Sequence, residues 1–240
     1  VVLWTKYTPV SSDDSVTLEL RIAEVDSSVA VEDHLDPDKN LNLMVAQVEI
    51  DSSSDYIAKI DMTGLKSNTH YLFAFHDGNV ASQVGATRTA PKVDEDVSFL
   101  TYAFFSCAHF ANGYFHSYDI ASTIEDLDFW IHVGDYIYEY GEYSKYASDS
   151  PERKEMILPK WEIVDLQDYR NRYATYHLDE GLQNLRRTAP LIATWDDHET
   201  TNNAYGEGLV ENTGAENHQE FCPVDRTASN DEKDAVGCDR

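Results

Sequence analysis

Val16, Leu18, Leu20 and Ile22 alternate with Thr17, Glu19 and Arg21. This period of two predicts a strand with one buried face. Val1 to Thr5 reads as a strand before it. Leu43, Val45 and Val48 predict another, Ile57 to Met62 a further one, and the run from Tyr71 to Phe75 one more, entered by a turn at Gly64. Thr87-Arg88-Thr89-Ala90-Pro91 reads as an exit strand and linker. Residues 1–92 therefore form an all-β domain. Beyond Pro91 the pattern changes. Three nearly continuous apolar runs, Val97 to Phe105, Leu127 to Val133 and Ala189 to Trp195, read as strands buried on both faces. Helical patterns lie between them. Gly113 to Ile124 carries Phe115, Tyr118 and Ala121 at helical spacing. Leu166 to His177 places Tyr169, Tyr173 and Tyr176 on one face. Leu182 to Arg187 is helical until Pro190 stops it. Strands alternating with helices predict an α/β domain over 93–240. Glu139 to Pro159 reads as a polar, irregular excursion, and 212–240 offers no element.

The segment Gly64-Leu65-Lys66-Ser67-Asn68-Thr69-His70-Tyr71 resembles the corner of fibronectin type III-like sandwiches. There a Tyr hydroxyl bonds to upstream backbone, so the N-terminal domain is expected to be a fibronectin III/Ig-like β-sandwich. His34, His70 and His76 are scattered through it and are expected at the surface or in strands, not as ligands.

Composition narrows the function. The chain has 240 residues, 42% of them hydrophobic, enough for a sizeable core. Its 44 acidic residues against 18 basic give a formal charge of −26. That argues against non-specific binding to nucleic acid or anionic lipid, and no nucleic-acid-binding module is expected, because phosphate attraction needs Lys and Arg. Most of the acidity is read as solvated surface rather than cation recruitment. No run approaches the ~18 apolar residues of a membrane span. The start at Val1 is that of a mature or clipped protein. Cys222 and Cys238 in the polar tail could pair, which fits an extracellular or periplasmic, secreted protein. Cys107 is then the odd thiol.

All three buried runs stop at metal-type ligands: Cys107 after the first, Asp135 and Tyr138 after the second, Asp196-Asp197-His198-Glu199 after the third. Ligands of α/β folds bind outside the carboxyl ends of strands. Four polar groups following a buried strand are costly without partners. A dinuclear metal site fits this pattern. Asp135 would bridge two cations, Tyr138 would return to the same metal as a phenolate, and Asp197 would serve the second cation. His198 would contact a substrate oxygen or protonate a leaving group. Phenolate and thiolate favour a metal such as Fe³⁺ over Mg²⁺.

Gly134-Asp135-Tyr136-Ile137-Tyr138 and Trp195-Asp196-Asp197-His198-Glu199 with Asn202-Asn203 resemble blocks of the PhoD-type alkaline phosphatases, grouped with the purple acid phosphatases and other metallophosphoesterases. Ser106-Cys107 with Gly113-Tyr114-Phe115 resembles the first block. Asp168-Tyr169-Arg170-x-Arg172-Tyr173-Ala174 and Leu182-Gln183-x-Leu185-Arg186 resemble its middle helices. The likeness spans about residues 1–205. It implies hydrolysis of phosphate mono- or diesters by a metal-activated hydroxide, with Fe³⁺ and Ca²⁺ as cofactors and other divalent metals as alternatives. It implies Cys107, Asp135, Tyr138 and Asp197 as metal ligands. It implies His198 and Asp197 as catalytic, and Asn202, Asn203 and Asp196 as supporting or substrate-contacting groups. The family also needs His and Asp ligands from a second half of its fold. After residue 205 only His218 offers itself, so the remaining ligands are expected from a missing C-terminal half or a partner chain. An open half-sheet would then expose an edge and an apolar face. The competing reading is a non-catalytic extracellular scaffold that keeps the fold without the chemistry.

Overall fold

The structure, a computed structural model, describes residues 1–9, 15–142, 150–205 and 208–209. His218 and the Cys222–Cys238 pair lie outside the described residues. The chain divides into two compact units. One comprises Val1–Ala103, Ala121–Trp130 and Asn184–Leu191, the other Phe104–Ile120, Ile131–Gln183 and the described residues from Ile192 onward.

In the first unit, β2 (Val16–Glu24) pairs antiparallel with β3 (Met44–Ile50) and β5 (His70–His76), and β5 with β6 (Gly85–Arg88), in the order β3-β2-β5-β6. A second sheet pairs β1 (Val2–Lys6) with β4 (Ile57–Asp61). Leu18, Leu20 and Ile22 turn inward as their alternation predicts. They share a core with Ile50, Tyr71 and Phe75, and with Leu3 and Ala58 of the smaller sheet. Each such side chain contributes about 1.5–3 kcal/mol on leaving water. The register of β3 differs from expectation. Met44, Ala46, Val48 and Ile50 face inward and Val45 outward, because Leu43 and Val45 lie in the opposite phase to Val48.

The corner is present. The Tyr71 hydroxyl accepts a hydrogen bond from the Lys66 N–H at 2.9 Å, a contact of about 1 kcal/mol. His34 departs from the sequence reading. It is neither at the surface nor in a strand, but buried in the short helix α1 (Val31–His34). Its Nε2 accepts from the Asp26 N–H, and its Nδ1 lies 2.9 Å from the Ala30 carbonyl. It pins a loop and is not a ligand.

The three apolar runs form a third sheet in the order β7-β8-β9, with β7 at Tyr102–Phe105, β8 at Phe129–His132 and β9 at Leu191–Ala193. Flanking bonds advance in the same sense along each pair, Asp128 N–H to Thr101 O and then Val133 N–H to Phe105 O, Trp130 N–H to Pro190 O and then Thr194 N–H to His132 O. The strands are parallel. They are shorter than predicted, and only β8 is buried. Tyr102, Phe104, Leu191 and Ile192 are exposed. An apolar run reports intended burial on both faces, but among the described residues β7 is covered on one face only, where Phe105 packs on the Tyr118 ring with centroids 4.7 Å apart, and β9 is exposed throughout.

The helices α2 (His116–Ser122), α4 (Leu166–Tyr176) and α5 (Glu180–Thr188) match predicted helices. Asp165 caps α4 by accepting the Asp168 N–H at 2.9 Å. The excursion expected from Glu139 contains a further helix, α3 (Pro151–Met156). Its Arg153 is buried, lies 3.5 Å above the Phe110 ring, and pairs with Asp179 at 2.9 Å. A buried guanidinium among aromatic rings makes the segment's sequence look polar while its packing is core.

His132, at the end of β8, is fully buried and bonds through Nε2 to the Tyr118 hydroxyl at 3.0 Å. Desolvation lowers its pKa to about 4 from 6.5. Folding therefore favours the neutral ring. Its contribution to stability is complete above pH 6.5 and is lost as pH falls toward 4. In urea unfolding from pH 7.5 to 4.5, the parent is expected to lose stability more steeply than His132→Gln. Parallel curves would contradict this.

Candidate metal centre

Three loops at the carboxyl ends of the parallel strands meet within the second unit. The first two are stitched by backbone: Cys107 N–H donates to Gly134 O at 3.2 Å and Ala108 N–H to Asp135 O at 2.9 Å. Cys107 and Asp135 both adopt the left-handed region, with φ of 57° and 54°, and Asn203 does so at 61°. For residues with a side chain this conformation costs free energy, and such residues cluster at functional sites. Gly134, at φ 110°, makes the closest approach. A Cβ there would lie 2.7 Å from the Trp195 carbonyl carbon and closer still to the Asp196 nitrogen.

Asp135, Asp197 and His198 each present a ligand atom within 4.8 Å of the others. The Tyr138 hydroxyl donates to Asp135 Oδ2 at 3.0 Å. Burial raises the Tyr138 pKa most, with further upward pushes from the Asp135 carboxylate and from the Cys107 thiol, which lies within hydrogen-bonding reach. Cys107 itself is exposed. Of the residues picked from sequence as ligands, Asp135 and Asp197 meet, together with His198, which was picked as catalytic; Tyr138 joins them through Asp135, and Cys107 is not part of that trio. The supporting trio is placed differently. Asn202 and Asn203 contribute backbone N–H groups, to Glu139 Oε1 at 2.8 Å and to Asp197 Oδ2 respectively, while their side chains are exposed. Asp196 is exposed and donates its N–H to Glu199 Oε2 at 2.8 Å.

Sequence reasoning missed the carboxylates that hold the loops. Glu199 accepts the N–H groups of Asp135 at 3.0 Å, Tyr136 at 2.5 Å and Asp196 at 2.8 Å. One side chain thereby joins the loops after β8 and β9. Glu139, 1% exposed, accepts from Asn202 N–H and bonds His198 Nδ1 at 2.8 Å. Burial opposes charging of His198. The hydrogen bond and charge of Glu139, with Asp135 and Asp197, outweigh it and raise its pKa. The signal for Glu199 was its place in a run of four polar residues that required partners. Glu139 offered only an acid between two tyrosines. His109 is also new to the site: it is buried, with Nε2 unpartnered, and its ring lies 4.6 Å from that of Tyr138.

Beneath the site, Arg172 of α4 is fully buried and donates to five carbonyls. These are Leu158 at 3.1 Å, Tyr140 at 2.7 Å, Pro159 and Trp161 at 3.1 Å, and Tyr138. Burial pulls its pKa down to about 10, which leaves it charged.

The donor set suits a cation. Two carboxylates, a phenol, an imidazole and a nearby thiol are the ligands of hard to borderline metals.

Comparison with known proteins places the chain in a family. The family model of the PhoD-like phosphatase matches residues 102–232, and that of the PhoD-like phosphatase N-terminal domain matches residues 1–91. The chain is 34% identical over 203 residues to alkaline phosphatase D of Bacillus subtilis (strain 168), an alignment covering 85% of this chain and 33% of that protein. A solved structure titled "Structure of PhoD" superposes with a TM-score of 0.73 at 29% identity, covering 88% of this chain and 39% of the other. The chain thus spans between a third and two-fifths of the length of these relatives.

Proposed function

Because the chain belongs to the PhoD-like phosphatase family, we propose that it supplies part of the active site of a secreted, metal-dependent alkaline phosphatase acting on phosphate mono- or diesters. The convergence of Asp135, Asp197 and His198 within 4.8 Å carries this reading. Cys107, Asp135 and Tyr138 would hold Fe³⁺, Asp135 and Asp197 would hold Ca²⁺, and other divalent metals are alternatives. When bound, such cations supply Lewis acidity and an activated water for in-line attack on phosphorus. His198, held at Nδ1 by Glu139, would protonate the leaving oxygen or bind a phosphoryl oxygen. Glu199 keeps the ligand loops together.

The division into a 1–92 β-sandwich of fibronectin III/Ig-like type and a 93–240 catalytic portion belongs to the same proposal. The Tyr71 corner, the two sheets sharing one core, and the family models matched over 1–91 and 102–232 support it. So does the need for further ligands from the rest of the fold or from a partner chain. Phe104, Ile192 and Trp195 are 60%, 56% and 81% exposed, an apolar surface that such a segment would cover. No helix among the described residues is long and apolar enough to cross a membrane. The extracellular or periplasmic location is proposed from the cysteine content alone.

The test uses the full-length protein, with metal analysis and turnover of p-nitrophenyl phosphate and bis(p-nitrophenyl) phosphate. Chelation is expected to abolish turnover, and Fe³⁺ with Ca²⁺ to restore it. Metal-loaded protein that turns over neither ester would favour the scaffold reading.

A further inference from the structure

Glu139 is the most deeply buried carboxylate at the site, and it lies between two residues whose carbonyls Arg172 holds. The Ile163 N–H also donates to its carbonyl, at 3.1 Å. Its backbone is therefore pinned on both sides, and its side chain starts from a fixed point. The two carboxylate oxygens then divide their work. Oε1 takes the Asn202 N–H and Oε2 takes His198 Nδ1, each at 2.8 Å. Two further contacts restrain the imidazole. Its ring stacks on Tyr138 with centroids 4.2 Å apart and planes 29° apart, and the His198 N–H donates to Asp135 Oδ1 at 3.3 Å. With Nδ1 taken, Nε2 is the ring nitrogen left for the Asp135–Asp197 group.

We infer that Glu139 is the positioning residue for His198, fixing the imidazole through Nδ1 so that Nε2 is presented to the phosphoryl group. This rests on the proposed phosphatase function. A carboxylate is required at this position. Both partners donate, and an amide has one acceptor oxygen and an NH₂ group, so it leaves one donor facing another donor. The bond to a buried carboxylate is charge-assisted and also selects the protonated nitrogen. Partners of this kind, which hold a ligating or reacting imidazole, change affinity or activity by about 10- to 100-fold when altered.

The test is a double-mutant cycle on the full-length, metal-loaded protein, combining Glu139→Gln with His198→Asn. In the parent background, Glu139→Gln is expected to lower kcat about 10- to 100-fold with KM changed by less than about threefold. In the His198→Asn background it is expected to cost nothing further, because its effect passes through the imidazole. Equal losses in both backgrounds would reduce Glu139 to a packing residue and overturn the inference, as would unchanged kcat. Where Glu139→Gln fails to fold, Glu139→Asp, whose carboxylate is withdrawn by one methylene, enters the same cycle under the same criteria.

A second readout does not need turnover. In the metal-free protein with ¹⁵N-labelled histidine, His198 is expected to show a protonated Nδ1 with a low-field proton, lost or shifted upfield in Glu139→Gln. An unprotonated Nδ1 in the parent would overturn the inference. If the parent hydrolyses no phosphate ester, the proposed function fails, and the ¹⁵N result still decides the role of Glu139.

Discussion

Gly134→Ala should cost about 3–5 kcal/mol and abolish cation binding in whatever protein still folds. Two penalties combine. The backbone at φ 110° is one that a side chain strains. The added methyl would also sit inside contact distance of the Asp196 nitrogen and 2.7 Å from the Trp195 carbonyl carbon. Those atoms are backbone and have no rotamer to escape into. The loop after β9 would have to move, and it carries Asp197 and His198. The Glu199 clamp spans the same gap through Asp135, Tyr136 and Asp196, so a displacement breaks it as well. Gly78→Ala is the control. Its φ is 94°, but nothing lies within 4 Å of its added Cβ, so it reports backbone strain alone, about 1–2 kcal/mol. Urea unfolding of the two variants, with calorimetric titration of Ca²⁺ and Fe³⁺, measures the difference. Equal destabilisation by both would show that close approach at Gly134 contributes nothing.

The site was legible because its chemistry falls at strand ends. The strand positions came from apolar runs, and the ligand types came from what followed each run. Neither step required knowledge of packing. What escaped were groups whose role is to be bonded rather than to bond a ligand. The buried face of α4 shows why. It consists of Asp168, Arg172, Thr175 and Tyr176, a stripe with the right spacing and the wrong polarity for a hydrophobic pattern. Asp168 accepts the Trp161 indole N–H and the Val164 N–H, each at 3.2 Å, and Arg172 takes carbonyls. This half of the fold is held around satisfied polar groups, which hydropathy reads as surface.

The opposite error came from the apolar runs. Val97 to Phe105 and Ala189 to Trp195 were expected to be buried on both faces, yet Val97, Phe99, Leu100, Phe104 and Ile192 are exposed. Hydropathy records what a strand is built to contact in the complete fold, and this chain spans 33% of its curated relative. In the β-domain the reading was sound wherever strict alternation held, as in β2. It slipped in β3, where residues of both phases are apolar.

Arg172→Lys should destabilise the protein by about 3 kcal/mol or more, despite keeping the charge. The guanidinium reaches five carbonyls from one plane: Tyr138 and Tyr140 on one segment, Leu158, Pro159 and Trp161 on another. An ammonium has three donors and no fork, so at least two of these carbonyls lose their partner. Each buried acceptor left unsatisfied costs about 1–3 kcal/mol. Arg172→Met removes the buried charge but strands all five carbonyls, and is expected to cost at least as much. The consequence reaches the site through geometry. Tyr138 and Tyr140 flank Glu139, and loosening their carbonyls frees the carboxylate that holds His198 as well as the phenol on Asp135. The loss should therefore be larger in kcat than stability alone explains, and should persist at temperatures where Arg172→Lys is fully folded. An unfolding free energy from urea titration within about 0.5 kcal/mol of the parent's would mean that water replaces the lost donors. A kcat unchanged in folded Arg172→Lys would separate the buried staple from the chemistry above it.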